Sequence, residues 1–288
     1  MRRRQESPAY YDFIPVDSTF RHKVPEGRHT PRSELKKVYN FELKLTSISD
    51  IHVGSGKKLI TEDLPPKPVL KFVRDGNGAP VIPGSSVKGV VSTNFLLLSG
   101  SSMMTSELFG TARGQPLISK VFFDDMRPIE KTELVRKVVK RAWFPKRSKR
   151  GHVKVYTAKA PPTAFFGFAE CIPQGSTFAT RVTGIDLRNF EVGGLIMSLG
   201  LYPTNEGVEA GIIRVGYGKP QGLGQLETIP EKSTFSVTEY DGFSSEIKTQ
   251  NLTSDEAKKC FRAFIDEVQK REAKRDPIQL IKTYFRRF

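Results

Sequence analysis

Cysteine is nearly missing from this chain: Cys171 and Cys260 are its only two, far apart and with no Cys-x-x-Cys or Cys/His pattern beside them. That spacing offers neither a zinc site nor a disulfide framework and suits a reducing cytoplasm. No run of about eighteen apolar residues is present to span a bilayer. Met1-Arg2-Arg3-Arg4 leads into polar sequence instead of the apolar core of a signal peptide. A soluble, cytoplasmic protein without a membrane partner is expected. The Walker pattern is missing too, because no glycine stands four residues before a Gly-Lys-Ser/Thr triplet between Gly54 and Lys88, so nucleotide hydrolysis has no support. No repeat of fixed period is visible, which argues against a solenoid.

What the chain has is positive charge. Its 46 Lys and Arg against 31 Asp and Glu leave a formal net charge of +15, an excess that suits a polyanionic partner and makes nucleic acid the leading class. A basic surface kept for solubility is the plainer alternative. The length, 288 residues, fits one elaborated domain or two small ones.

Residues 1–37 mix Arg, His, Pro and Ser with few apolar positions, and the expectation is a poorly ordered basic arm. From Val38 the pattern changes: Val38, Phe41, Leu43 and Leu45 alternate with polar residues as in a half-buried strand. The prolines between Thr61 and Pro80 and the turn signal Asp75-Gly76-Asn77-Gly78 predict a surface loop holding a short strand over 69–73. A helix is expected after Gly84-Ser85-Ser86, with Val87, Val90, Val91, Asn94, Phe95 and Leu98 near one face. Strands are expected at 121–125, 165–169, 176–182 and 226–229, and a helix over 187–201 weakened by Gly193-Gly194. Lys131 to Arg141 reads as a basic helix or helix fragment. Near the C-terminus, Thr253 and Glu256 form a capping box ahead of a stripe of Ala257, Cys260, Phe261, Phe264, Ile265 and Val268, which predicts a long helix.

Three glycine-rich features combine exposed backbone with a cation: His52-Val53-Gly54-Ser55-Gly56-Lys57, Pro83-Gly84-Ser85-Ser86-Val87-Lys88-Gly89, and the run Gly216 to Gly224 with Lys219 inside it. In the second, free N–H groups at a helix start, the hydroxyls of Ser85 and Ser86, and Lys88 could converge on one phosphate. An ordinary turn and cap explains that motif equally well. The third opens like a dinucleotide fingerprint but continues into Lys219-Pro220 and a strand, where a helix is required. The most basic stretch, with Lys146, Arg147, Lys149, Arg150 and Lys154, suits a projecting hairpin. Phe165, Phe166 and Phe168 follow it, either as stacking faces for RNA bases or as core. His52 is a possible general base, although no second histidine or fixed acid accompanies it. Asp124 and Asp125 point to opposite faces of a strand, which disfavours a shared ion and favours a structural role for at least one.

In this order the motifs resemble the RAMP superfamily, and within it the backbone subunits of type III (Csm and Cmr) CRISPR effector complexes. The residues that carry the resemblance are His52-Val53-Gly54-Ser55-Gly56, Val81 to Gly89, Leu108-Phe109-Gly110, Val121 to Asp125, Pro173 to Phe178, and Gly216 to Gly224. It implies an α+β fold with a ferredoxin-like (RRM-like) core over 38–235, inserted loops, a thumb hairpin at about 144–168, and a C-terminal helical segment over 236–288. The implied partners are guide RNA, target RNA, further copies of the chain and other effector subunits. The RNA contacts expected on this basis are His52, Gly54, Ser55, Lys57, Ser85, Ser86, Lys88, Lys146, Arg147, Lys149, Arg150, Lys154 and Lys219.

Family members of this kind often cleave target RNA with an acid in the loop after the first glycine motif. Here Glu62, Asp63 and Asp75 lie in that loop, and Asp63-Leu64-Pro65-Pro66-Lys67-Pro68-Val69 approximates the family pattern with an insertion, so Asp63 is the candidate catalytic residue and ligand of Mg2+ or another divalent cation. Two further readings stay open: a non-catalytic scaffold of the same complex, which the insertion at Pro65-Pro66 favours, and an endonuclease that processes precursor guide RNA with a histidine base.

Overall fold

The computed structural model describes residues 10–17, 37–62, 66–112, 116–140, 149–159, 165–240, 247–272 and 275–287. In chain order the strands and helices are β1 (Tyr11–Pro15), β2 (Lys37–Ser47), β3 (Gly54–Ile60), β4 (Pro68–Phe72), α1 (Gly84–Ser99), α2 (Ser102–Phe109), β5 (Val121–Phe123), β6 (Arg127–Pro128), β7 (Val135–Lys140), β8 (His152–Tyr156), β9 (Phe165–Cys171) and β10 (Thr177–Ile185). They continue with α3 (Asn189–Ser198), β11 (Leu201–Pro203), β12 (Val208–Ala210), β13 (Ile212–Arg214), β14 (Gln225–Thr228), β15 (Thr234–Tyr240), β16 (Ile247–Asn251), α4 (Ser254–Arg271) and α5 (Pro277–Tyr284). The fold class is mixed α+β, with mainly antiparallel sheets. Among the described residues no helix is long and apolar enough to cross a membrane.

The larger sheet runs β13-β14-β2-β10-β5, with β15 sharing the β2 edge used by β14 and β6 pairing with β10. Strand β2 is its centre, and the alternation of its side chains explains why. Tyr39, Phe41, Leu43 and Leu45 are buried on one face, while Asn40, Glu42 and Lys44 take the other. Val38, expected with the core set, has even parity and lies on the second face. Val87, Val91 and Phe95 of α1 and Val192, Leu195 and Ile196 of α3 belong to the same apolar cluster as the β2 face.

Helix α4 lies against α3 at a close approach that glycine permits. A Cβ on Gly193 would stand 2.0 Å from the Cys260 carbonyl oxygen, and one on Gly194 would meet the rings of Phe95 and Phe264 at 2.5 and 2.6 Å. Read from sequence, these glycines only weaken a helix; in three dimensions they set the distance between two helices. Helix α4 starts as its capping box requires, with the Thr253 hydroxyl accepting from Glu256 N–H and the Glu256 carboxylate accepting from Thr253 N–H.

The smaller sheet has the order β3-β4-β9-β7. Its strand β7 corrects the helix expected over Lys131 to Arg141. Val135, Val138 and Val139 are β-branched and pair along β9, with Val139 fully buried, so the extended form wins over the helical stripe. The expected thumb differs as well. Among its described residues, β8 pairs with β1 and β9 pairs with β4 and β7, so the two strands do not form a hairpin with each other. The partner of β8 lies inside the arm expected to be poorly ordered: Tyr11–Pro15 runs antiparallel to His152–Tyr156.

Arg275 ties this N-terminal strand to the helices. The residue is 7% exposed, and its guanidinium donates from Nε to the carbonyls of Leu97 and Leu98, each at 3.2 Å. From Nη1 it donates to Pro15 O at 3.1 Å and to the Glu272 carboxylate at 3.0 Å. One cation thus satisfies carbonyls at the C-terminal end of α1 and the end of β1, where helix polarity favours positive charge.

Candidate nucleic-acid interface

The first and third glycine features of the sequence meet in space. Tyr217 N–H donates to the His52 carbonyl at 2.9 Å, Gly224 N–H donates to Asp50 O at 2.9 Å, and Val215 N–H closes the loop onto Gly224 O at 2.8 Å. The contact depends on Gly216, whose φ is 78° and whose Cβ, if present, would stand 2.2 Å from His52 O. The His52 ring itself is 1% exposed, and its Nδ1 lies 2.6 Å from the Glu170 carbonyl, to which it donates. Burial lowers its pKa, with the Glu170 contacts opposing, so the imidazole is neutral at pH 7. His52 is therefore a pin between the glycine loop and β9. The structure corrects its expected place among RNA contacts, because the side chain has almost no surface to offer.

At the second feature the helix start is partly occupied. Gly84 N–H donates to the Asp125 carboxylate at 2.8 Å, while Ser86 and Val87 N–H return to Pro83 O at 2.8 and 3.1 Å. A side chain from beyond β5 thus caps α1 where a phosphate was expected to sit. Ser85 is exposed, Ser86 and Lys88 are half-buried, and burial lowers the Lys88 pKa. Asp125 also approaches Arg127 at 3.6 Å.

The second and third glycine features and the basic stretch then converge on one cleft of about 320 Å³. The outer face of α1 contributes Ser86 and Thr93, β8 contributes Lys154 and Tyr156, and the glycine loop with the strand before it contributes Arg214 and Lys219. The lining holds three cations and, among the described residues, no carboxylate. Burial and then the neighbouring Arg286 push the Arg214 guanidinium down to about 10, although it donates to Tyr284 O at 2.8 Å and to Arg286 O. Burial and then Arg214 lower Lys219, and burial lowers Lys154, whose ammonium sits 4.4 Å from the Tyr11 ring centre and 5.1 Å from that of Tyr156. Cations disfavoured by burial in this way gain from an incoming anion, and a phosphodiester supplies one with acceptor oxygens.

A model of the RAMP superfamily matches residues 44–252. The chain belongs to the RAMP superfamily. Among solved structures it is similar to a chain of the type III-B Cmr-beta complex bound to cognate target RNA, at 15% identity and a TM-score of 0.43, with 75% of this chain and 61% of that chain covered. The aligned part is thus less than two-thirds of that neighbour's length. The search of curated proteins gave no match.

In this RAMP protein the cleft brings together Ser86, Lys154 and Lys219 from the expected contacts, and adds Arg214, Thr93 and Tyr156. Arg214 ends the strand Ile212–Arg214 directly before the glycine loop, a lone cation in an apolar run that could have drawn notice. Gly54 and Lys57 are exposed on β3, the edge of the smaller sheet, and the Ser55 hydroxyl donates to Lys71 O at 3.1 Å. Lys149 and Arg150 are exposed at the turn before β8. Asp63, Lys146 and Arg147 lie outside the described residues.

The other acids of the catalytic loop are placed. Glu62 is exposed. Asp75 accepts from Asn77 and Ala79 N–H, both at 3.0 Å, and pairs with Arg127, whose hydrogen bond is the first cause of its lowered pKa. It is the turn former that the Asp-Gly sequence suggested. Among the described residues no group of three or more His, Cys, Asp or Glu is arranged to hold a metal ion.

Proposed function

We propose that this protein is a guide-RNA-binding backbone subunit of a type III CRISPR effector complex, and that it takes part in guide-directed cleavage of target RNA. The observation that carries the reading is the cleft in which Lys154, Arg214 and Lys219 meet with, among the described residues, no carboxylate in the lining. Lysine, arginine and hydroxyl donors of this kind contact phosphates and read no base edge, which suits a guide whose sequence varies. The partners in this reading are guide RNA, target RNA, further copies of the chain and other effector subunits.

The sheet order also supports a ferredoxin-like core. Strands β14-β2-β10-β5 are neighbours, α1 stands in the chain between β2 and β5, and α3 stands between β10 and β14. A processing endonuclease with His52 as its base is disfavoured, because that imidazole is buried and its remaining ring partners are Phe72 and Tyr217.

For catalysis the reading rests on Asp63, which would orient the ribose hydroxyl for in-line attack and serve as ligand to Mg2+ or another divalent cation. Asp75 is held by its turn and Arg127, which leaves the exposed Glu62, and Asp63 outside the described residues, as the other acids of that loop. The test is cleavage of labelled target RNA by complexes assembled with the parent or with Asp63→Ala. The variant should bind guide and target as the parent does and cut the target at least about 10²-fold more slowly, and EDTA should stop the parent. An Asp63→Ala complex that cuts at the parental rate would remove the role from Asp63. A parent that binds target and never cuts would make the protein a scaffold.

A further inference from the structure

The glycine loop presents an aromatic ring that the phosphate cleft does not use. Tyr217 is 38% exposed, yet both its backbone and its ring have defined partners. Its N–H donates to His52 O, and glycines with φ of 78° flank it on both sides. Its ring stands perpendicular to the His52 imidazole, with centroids 6.1 Å apart and an interplanar angle of 88°. His52 is fixed in turn by the Glu170 carbonyl and by a perpendicular contact with Phe72 at 6.1 Å. A perpendicular contact takes up at most one face of the tyrosine ring, so the other remains available.

The position of that ring is informative. Gly216 before it and Lys219 two residues after it both line the cationic cleft. Tyr217 is flanked in the chain by that lining without belonging to it, whereas Phe122 and Tyr240, the other large exposed aromatic side chains among the described residues, have no chain neighbour in it. Single-stranded nucleic acid is held by this combination, a cationic track for the backbone and an aromatic face for a base, and the stacking tolerates any base because each has a π face. The geometry points to Tyr217 as the stacking platform for one nucleobase of the RNA whose backbone occupies the cleft. The inference rests on the RNA-binding reading and adds an unpaired, base-contacting position to it. A ring that merely covers His52 is the competing account, and it predicts a loss that ignores the base.

The experiment compares the parent protein with Tyr217→Phe, Tyr217→Leu and Tyr217→Ala in binding a single-stranded RNA and a set of equal-length oligonucleotides, each with one abasic residue at a different position. Tyr217→Phe should bind within about twofold of the parent, whereas Tyr217→Ala and Tyr217→Leu should lose about tenfold. Leu keeps bulk over His52, so a shared loss points to the aromatic face. At one abasic position the parent should fall to the level of the Ala variant and the difference between them should vanish. Parental affinity in the Ala variant, or an equal loss against every abasic oligonucleotide, would overturn the assignment. A parent that binds no RNA would instead overturn the RNA-binding reading itself.

Discussion

Replacing Lys154 and Lys219 together with Glu should lower the affinity for single-stranded RNA by about two orders of magnitude or more, since a hydrogen bond to a charged group contributes about 1.5–3 kcal/mol and about 1.4 kcal/mol is tenfold in affinity. The two lysines come from β8 and the glycine loop, lie on opposite parts of the chain, and line one cleft with Arg214. The Lys154 ammonium lies over the rings of Tyr11 and Tyr156, and both lysines sit where burial opposes the charge. Reversal substitutes repulsion for attraction on the same surface. Fluorescence anisotropy with a labelled RNA measures the change, and circular dichroism confirms that the fold is intact. An affinity within threefold of the parent, taken here as about half the tenfold step, would move the RNA away from this cleft.

Arg275→Ala should destabilise the fold by about 3 kcal/mol, because it leaves the two buried helix-end carbonyls of Leu97 and Leu98 without this donor at about 1–3 kcal/mol each and removes the bond to the exposed Pro15. The Arg275 side chain that reaches them is almost fully enclosed. Arg275→Lys should recover little, since an ammonium lacks the planar fork that spans the end of α1 and the end of β1 at once. Urea denaturation provides the measurement, with a drop in midpoint at unchanged slope as the expected form. A loss below about 1 kcal/mol would show that water replaces the guanidinium at these carbonyls. The effect should extend to the cleft, because Pro15 ends the strand that pairs with β8, the strand carrying Lys154 and Tyr156.

Where local chemistry decides an element, the sequence was sufficient to read it. The capping box at Thr253 and Glu256 marks the start of α4, and the odd-numbered apolar residues of β2 mark its buried face. The start of α5 carries a signal of the same kind, with the Asp276 carboxylate accepting from Ile278 and Gln279 N–H and Pro277 at the first helical position. What the sequence could not reveal depends on distant partners. Val135 to Lys140 carries a pattern that serves a helix or a strand, and pairing with β9 decides between them. Tyr11–Pro15 looks like part of a basic tail until β8 and Arg275 are beside it.

The candidate site divides in the same way. The glycine motifs and the basic cluster were legible as separate features, but their convergence was not, since Ser86, Lys154 and Lys219 are brought together by the tertiary fold. The structure also removes two expected features: His52 is consumed by Glu170, and the first N–H of α1 is consumed by Asp125.

The salt dependence of RNA affinity, measured for the parent, Lys154→Ala and Lys219→Ala, tests the phosphate cleft most directly. Each phosphate neutralised on a single strand contributes about 0.7 to the slope of log affinity against log salt. The parent should therefore show a steep negative slope, and each lysine variant should show one shallower by about 0.7. A parental affinity that does not respond to salt, or variants that keep the parental slope, would contradict the claim that this cleft holds an RNA backbone.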